Sequence, residues 1–300
     1  MSVLTTKAKA VKDMPVDEVY VIYGLQGTGK TVLASTFPKT KEKPMLYLDI
    51  LEGGTGSISY AERENIEVVP ITSFEEINEV FKDVINGYTV DDSGKKIPVA
   101  YSTIVIDTAT QLEFLLKKGL MENAKKDQMT LQLWGYASQE HDEIWNAART
   151  IHQTTGTRVV VLCHQKEISD EENPGNNKII PSLMSKAAYG LCAKASFVWY
   201  TKIEEVTTMG ADGKAKREAK YYTYIDGCQA YLSKTRKPKE MKIPLKIANL
   251  TYKKFKANIL DTIAGPSPTG TTTPVAPVNE TSIPNEPLKE EPKQTESKGE

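Results

Sequence analysis

The chain has 300 residues, 39% hydrophobic and 26% charged, with a formal net charge of −1, the balance of a water-soluble globular protein able to enclose a core. No apolar run approaches the ~18 residues that cross a bilayer, and the N-terminal MSVLTTKAKAVKDMP lacks a secretory signal's apolar core. Near-zero charge gives no bulk attraction to nucleic acid, so any such surface must be local.

Residues 1–14 read as a flexible N-terminal arm. Val19–Tyr23 (VYVIY) is a short β-rich run, followed by a glycine loop and a helical stretch from about Lys30 to Phe37. Met45–Asp49 (MLYLD) and Glu67–Ile71 (EVVPI) are the next strands. Phe74, Ile77, Val80, Phe81 and Val84 then recur at helical spacing over Phe74–Asn86. Thr103–Asp107 (TIVID) is a strand ending in a carboxylate, Leu131–His152 a long helix, and Arg158–Cys163 (RVVVLC) another buried strand. Continuous apolar runs between helices call for a mostly parallel central sheet with helices on both faces. After about Ala195 the pattern turns to hairpins. SFVWYTKIEEV and AKYYTYID flank the turn-rich MGADGKAK, and a short run YLS follows Gly227. The reading is one α/β domain over 15–262 with an antiparallel C-terminal extension. The last 36 residues hold seven prolines and no aromatic residue. They cannot bury enough apolar surface to offset their ordering entropy, so 263–300 reads as a disordered tail. Cys163, Cys192 and Cys228 lie far apart without metal-ligand spacing, and fit small buried hydrophobes in a reduced, cytoplasmic protein.

G24-L-Q-G-T-G-K-T31 satisfies the G-x-x-x-x-G-K-[ST] phosphate-loop pattern between a strand and a helix. Gly24, Gly27 and Gly29 let the backbone wrap closely, so that N–H groups from Gly24, Leu25, Gln26, Gly27, Thr28, Gly29, Lys30, Thr31 and Val32 surround the phosphates of ATP. The helix starting near Lys30 adds its positive end. Lys30 is expected to reach the β- and γ-phosphates, and Thr31 and Asp107 to hold Mg2+. Glu52 is the first candidate to orient the attacking water and Asp49 the second. His164 and Gln165, directly after RVVVLC, could sense the γ-phosphate, whereas His141 and His152 read as helix-surface residues.

The series GLQGTGKT, LDILEGG, TIVIDTAT, VVVLCHQ and LSKTRKP resembles the phage-encoded RecA-core P-loop ATPases of the single-strand-annealing, recombinase-like type over about 15–262. The resemblance implies a RecA-like fold, ATP and Mg2+ binding, single-stranded DNA as partner, and a role in phage recombination or replication. It also implies a homo-oligomer that binds nucleotide between subunits in the host cytoplasm, with single-strand-binding or replication proteins as further partners. In this resemblance Glu52 corresponds to the water-activating glutamate, although two residues, Ile50 and Leu51, separate it from Asp49 where many RecA-like proteins have one. His164 matches the polar residue after the fourth core strand and Gln165 the glutamine sensor, and which of them acts stays open. Lys234 and Arg236 look like the basic segment that reaches the adjoining subunit's ATP.

Candidate DNA contacts are 166–180, which carries four acidic residues against two lysines, then Lys117, Lys118, Lys125 and Lys126, and Lys214, Lys216, Arg217 and Lys220. Trp134, Trp145, Trp199 and the Tyr221–Tyr222 pair read as core or strand-face residues. Three functions compete: a DNA-dependent ATPase that anneals or exchanges strands, a nucleotide-switched adaptor or loader, and a small-molecule phosphotransferase. The last would want an arginine-rich lid, and arginines are few.

Overall fold

The computed structural model describes residues 16–169, 177–209 and 215–263. By residue contacts the chain divides into Met1–Gly265 and Pro266–Glu300; everything below concerns the first unit. The expected arm over 1–14 and the tail beyond Ile263 lie outside the described residues, as do Lys214 and positions 170–176.

The elements run β1 (Val19–Gly24), α1 (Lys30–Ser35), β2 (Met45–Asp49), β3 (Ile66–Pro70), α2 (Phe74–Asn86), β4 (Tyr88–Val90), β5 (Lys96–Pro98), β6 (Thr103–Asp107) and α3 (Ala109–Asn123). They continue with α4 (Leu131–Thr155), β7 (Arg158–Ile168), β8 (Lys178–Pro181), α5 (Ser185–Lys194), β9 (Phe197–Met209), β10 (Ala215–Tyr224), β11 (Lys234–Thr235) and β12 (Lys246–Ala248). A last helix, α6 (Tyr252–Phe255), passes through a π-turn at Lys256–Leu260.

Strands β3-β2-β6-β7-β1-β9 lie side by side and all pair in parallel. Strand β7 is therefore inserted between β1, which ends in the phosphate loop, and β6, which ends in Asp107. Antiparallel β10 and β12 continue the sheet beyond β9, and β8 and β11 pair with β7 and β9.

Alternation along each strand explains the two layers. Val19, Val21 and Tyr23 join Leu46, Ile104 and Val161 in a core shared with α2 to α5. Tyr20 and Ile22 face the other way, with Tyr47, Val160, Trp199, α1 and α6. A strand buried on both faces has no polar side to show, which is why these runs are continuously apolar. The second core is aromatic: the Tyr20 ring lies 4.8 Å from Phe37, 4.7 Å from Phe197 and 5.1 Å from Trp199. Truncating such a residue to alanine costs about 3–5 kcal/mol. Side-chain caps start the helices on that frame: Ser73 accepts from Glu76 N–H, Thr108 from Gln111 N–H and Thr130 from Leu133 N–H.

The mixed α/β architecture with helices on both faces agrees with the sequence reading, and several local expectations need correction. Strand β9 is not simply a hairpin arm. Its first residues, Phe197 to Tyr200, are buried and pair in parallel with β1, and only the later part pairs with β10 as an arm. The run VWY is apolar on both faces because it is core. His141 is 1% exposed rather than on a helix surface, with its Nε2 3.4 Å from the Glu113 carboxylate. Cys228 is exposed, unlike Cys163 and Cys192. Trp145 and Trp199 are core, while Trp134 lies at the surface with the Lys117 ammonium 4.8 Å above its ring.

Candidate functional site

The carboxyl ends of the parallel strands gather the candidates on one edge, the usual place for a ligand crevice in an open α/β sheet. Gly24 pairs with His164 on one side and Thr201 on the other. A Cβ at Gly24 would lie 2.4 Å from the Thr201 carbonyl oxygen, so only glycine lets β1 turn into the loop here. Gly29 takes a left-handed backbone (φ 85°) and directs the chain into α1. Leu25, Gln26 and Val32 are exposed on the loop's outer side. Thr28 anchors its inner side, with its hydroxyl 2.8 Å from the Leu25 carbonyl and 2.8 Å from the Thr201 hydroxyl.

Lys30 is buried, not an exposed loop lysine. Its ammonium donates to the carbonyls of Gly24 (3.1 Å) and Leu25 (2.8 Å) beneath the loop. Burial pushes its pKa below the ordinary lysine value, and the Asp107 charge opposes that shift.

Asp107, at the end of β6, is 3% exposed. Its Oδ2 accepts from the Thr31 hydroxyl at 3.1 Å and from the Tyr47 hydroxyl. Burial raises the carboxyl above the usual range, while these two hydrogen bonds act against the shift. A Cβ at Gly54 would come 2.6 Å from the same oxygen, so glycine leaves the carboxylate room. Among the described residues no group of three or more His, Cys, Asp or Glu could hold a metal ion. One hydroxyl beside one carboxylate suits Mg2+, which takes few protein ligands and completes its shell with phosphate oxygens and water.

Leu51, at φ 59°, turns the chain out of β2 and brings Glu52 back over the strand ends. Glu52 Oε1 lies 2.8 Å from His164 Nε2, 3.1 Å from the Gln111 amide nitrogen and 3.5 Å from the Thr108 hydroxyl. Its charge acts on both Lys30 and Asp107. Asp49 has a local task instead: its Oδ1 accepts the Gly53 N–H at 3.0 Å and closes the turn. The structure thus brings Lys30, Thr31, Asp107, Glu52 and His164 together. Gln165 pairs with Pro181 on β8, and among the described residues its buried Oε1 has no hydrogen-bond partner. Lys234 and Arg236 sit elsewhere. Both donate to the C-terminal end of α5, Lys234 to the Cys192 carbonyl and Arg236 to the Ala193 carbonyl at 2.6 Å.

A cavity of about 450 Å³ opens from the loop residues Gly27 to Leu33 toward Tyr221, Thr223 and Asn249 to Thr251. Sequence reasoning missed Tyr47, Gln111 and Thr201, and placed Tyr221 only on a strand face. Tyr47 alone had a signal: a tyrosine in an aliphatic buried strand must find a partner for its hydroxyl.

A family model described as an AAA domain matches residues 17–237. No curated protein matches the chain.

Proposed function

The chain belongs to the AAA-domain family of P-loop ATPases, and from that premise we propose that it binds ATP with Mg2+ at residues 24–32 and hydrolyses it. The observation that carries this reading is the meeting of the Glu52–His164 pair with Lys30, Thr31 and Asp107 on one sheet edge. Lys30 offsets charge on the β- and γ-phosphates. Thr31 and Asp107 hold Mg2+, which when bound neutralises phosphate oxygens. Glu52 takes the proton of the water that attacks the γ-phosphorus as the bond to ADP breaks, and His164 holds the carboxylate in place. Gln165 follows His164 on β7 as a second polar group.

We place this activity in a RecA-like protein that works on single-stranded DNA in phage recombination or replication, by annealing or strand exchange. The order of the five motifs supports that reading. So does the exposure of Lys125 and Lys126 beyond the helix that follows Asp107. In a homo-oligomer, Lys234 and Arg236 would act on a neighbour's nucleotide.

One observation favours a second reading, an adaptor or loader whose ATP state switches protein partners. Several lysines suited to DNA phosphates are paired within the chain: Lys117 with Glu113, Lys118 with Glu122 at 3.8 Å and Lys216 with Glu218 at 3.3 Å. ATP turnover measured with and without single-stranded DNA separates the two. Stimulation supports the DNA reading, indifference supports the adaptor, and absence of ATP binding in the wild-type protein removes both.

A further inference from the structure

We propose that the cavity beside the phosphate loop is an adenine-selective nucleoside pocket, in which the Tyr221 ring stacks on the base and the Asn249 side chain reads its edge. This rests on the ATP reading above and adds what selects the base.

The cavity's volume, about 450 Å³, falls within the range of small-molecule sites. Two elements distant in sequence from the loop build its outer wall. On β10, Tyr221 and Thr223 face the cavity, while Tyr222 and Tyr224 face away. Tyr222 is occupied, with the Lys246 ammonium 4.2 Å above its ring. Among the described residues Tyr221 has no aromatic or cationic partner, and the residue is 45% exposed. It lies against the loop, so that a Cβ built at Gly29 would be 3.4 Å from its Cδ1. A flat, partly exposed ring beside the phosphate cradle offers a stacking platform for a base.

Among the residues lining the cavity, Asn249 alone carries a carboxamide. The Thr251 hydroxyl accepts the Lys254 N–H as a helix cap (3.3 Å). The Thr36 hydroxyl donates to the Leu33 carbonyl (2.7 Å) and accepts the Tyr252 N–H (2.9 Å). Both hydroxyls serve the fold. Asn249 is held by its backbone alone: its N–H donates to the Tyr221 carbonyl (2.8 Å), and its carbonyl accepts Lys254 Nζ (3.0 Å). The backbone is left-handed (φ 47°), which asparagine tolerates better than most residues. Among the described residues its side-chain amide has no protein partner, and buried Leu250 floors the cavity beside it. A carboxamide pairs a donor with an acceptor and so matches adenine's adjacent amino group and ring nitrogen. The corresponding edge of guanine presents two acceptors.

Binding of ATP, GTP and inorganic triphosphate is measured by calorimetry on the wild-type chain and on Lys30→Ala, Tyr221→Ala, Tyr221→Phe and Asn249→Ala. Tyr221→Ala is expected to weaken ATP about tenfold or more with triphosphate affinity unchanged, and Tyr221→Phe to bind like the wild type. Asn249→Ala is expected to reduce a preference for ATP over GTP of about tenfold or more to near parity. If Lys30→Ala loses ATP while Tyr221→Ala and Asn249→Ala keep wild-type affinity and selectivity, the phosphate site stands and the base pocket is overturned. If wild-type protein binds no ATP, both fall.

Discussion

The carboxylate of Glu52 and the imidazole of His164 meet at 2.8 Å, although 112 positions separate them in the chain. Strands β2 and β7 are not neighbours; the chain's turn at Leu51 closes the gap across the end of β6. Glu52→Gln should lower ATP turnover by about 10²–10⁴-fold and leave ATP affinity within a few-fold. Asp49→Asn, which alters only a local turn, should change turnover far less. His164→Ala should lower kcat without weakening nucleotide binding. Single-turnover kinetics check all three, and normal chemistry in Glu52→Gln ends the water-activating role.

Lys30→Ala should nearly abolish turnover, by at least about 10²-fold. Because Lys30 is buried and bonded to two carbonyls, the change also has a structural cost of about 1–3 kcal/mol. Removing a desolvated charge offsets part of it, so melting should fall by a few degrees rather than collapse. Calorimetry beside an activity assay decides; an unfolded variant would show that the lysine is structural first.

Asp107→Asn should separate stability from activity. Burial raises the Asp107 carboxyl in the folded chain, so the folded state holds that proton more tightly than the unfolded state. The stability of the protonated form is present at low pH and lost as pH rises through the folded value. At neutral pH the charged carboxylate is therefore a burden that asparagine does not carry. The variant should melt at or above the wild-type temperature while Mg2+-dependent turnover is lost. A large drop in melting temperature would contradict this.

Glu113 behaves the opposite way. Burial alone would raise its carboxyl, but the His141 imidazole 3.4 Å away, together with hydrogen bonds from Lys117 and the Met184 N–H, outweighs it and brings the pKa from 4.5 down to about 2. A depressed carboxylate stabilises the fold above its ordinary value, and that contribution is lost as pH falls from 4.5 toward about 2. Glu113→Gln should be less stable at neutral pH and lose less on acidification through that window. Denaturant titrations at several pH values test it, and parallel pH profiles for both proteins would refute the assignment.

Arg236 has two possible tasks that one mixing experiment separates. As a donor to the Ala193 carbonyl it ends a helix, and Arg236→Ala should then lose about 1 kcal/mol of stability and keep its turnover. Acting on a neighbour's ATP, it should be needed for turnover. Mixed assemblies of Arg236→Ala and Lys30→Ala subunits should then regain activity that neither has alone. Silent mixtures of demonstrably mixed oligomers would exclude the trans role.

What could be read from sequence was what is encoded locally. The phosphate loop, the strand ending in Asp107 and the helix over Phe74–Asn86 each carry a periodicity or spacing within a dozen residues. The failures are all relationships across the chain. His141 is polar at a helical position, and nothing nearby announces that Glu113 waits on a neighbouring helix. A glycine loop suggests solvent, whereas the Lys30 side chain folds back under the loop. Tyr221 alternates with Tyr222 in a run where either could have faced the cavity; only the pairing of β10 with β9 fixes which one does. The choice between Glu52 and Asp49 likewise depends on the backbone turn at Leu51.

The Thr36 hydroxyl, just past the phosphate loop, accepts the N–H of Tyr252, 216 positions downstream. On the ribosome, the loop is made early while the segment carrying Asn249 and Tyr252 emerges much later. A nascent chain can thus display the phosphate-binding signature long before the wall beside it exists. A ligand that touches both the loop and that wall favours, by mass action, the state in which the two are joined. If nucleotide binds as proposed, its tight capture requires a chain made at least through Tyr252, which couples the early loop to the last-made wall of its cavity.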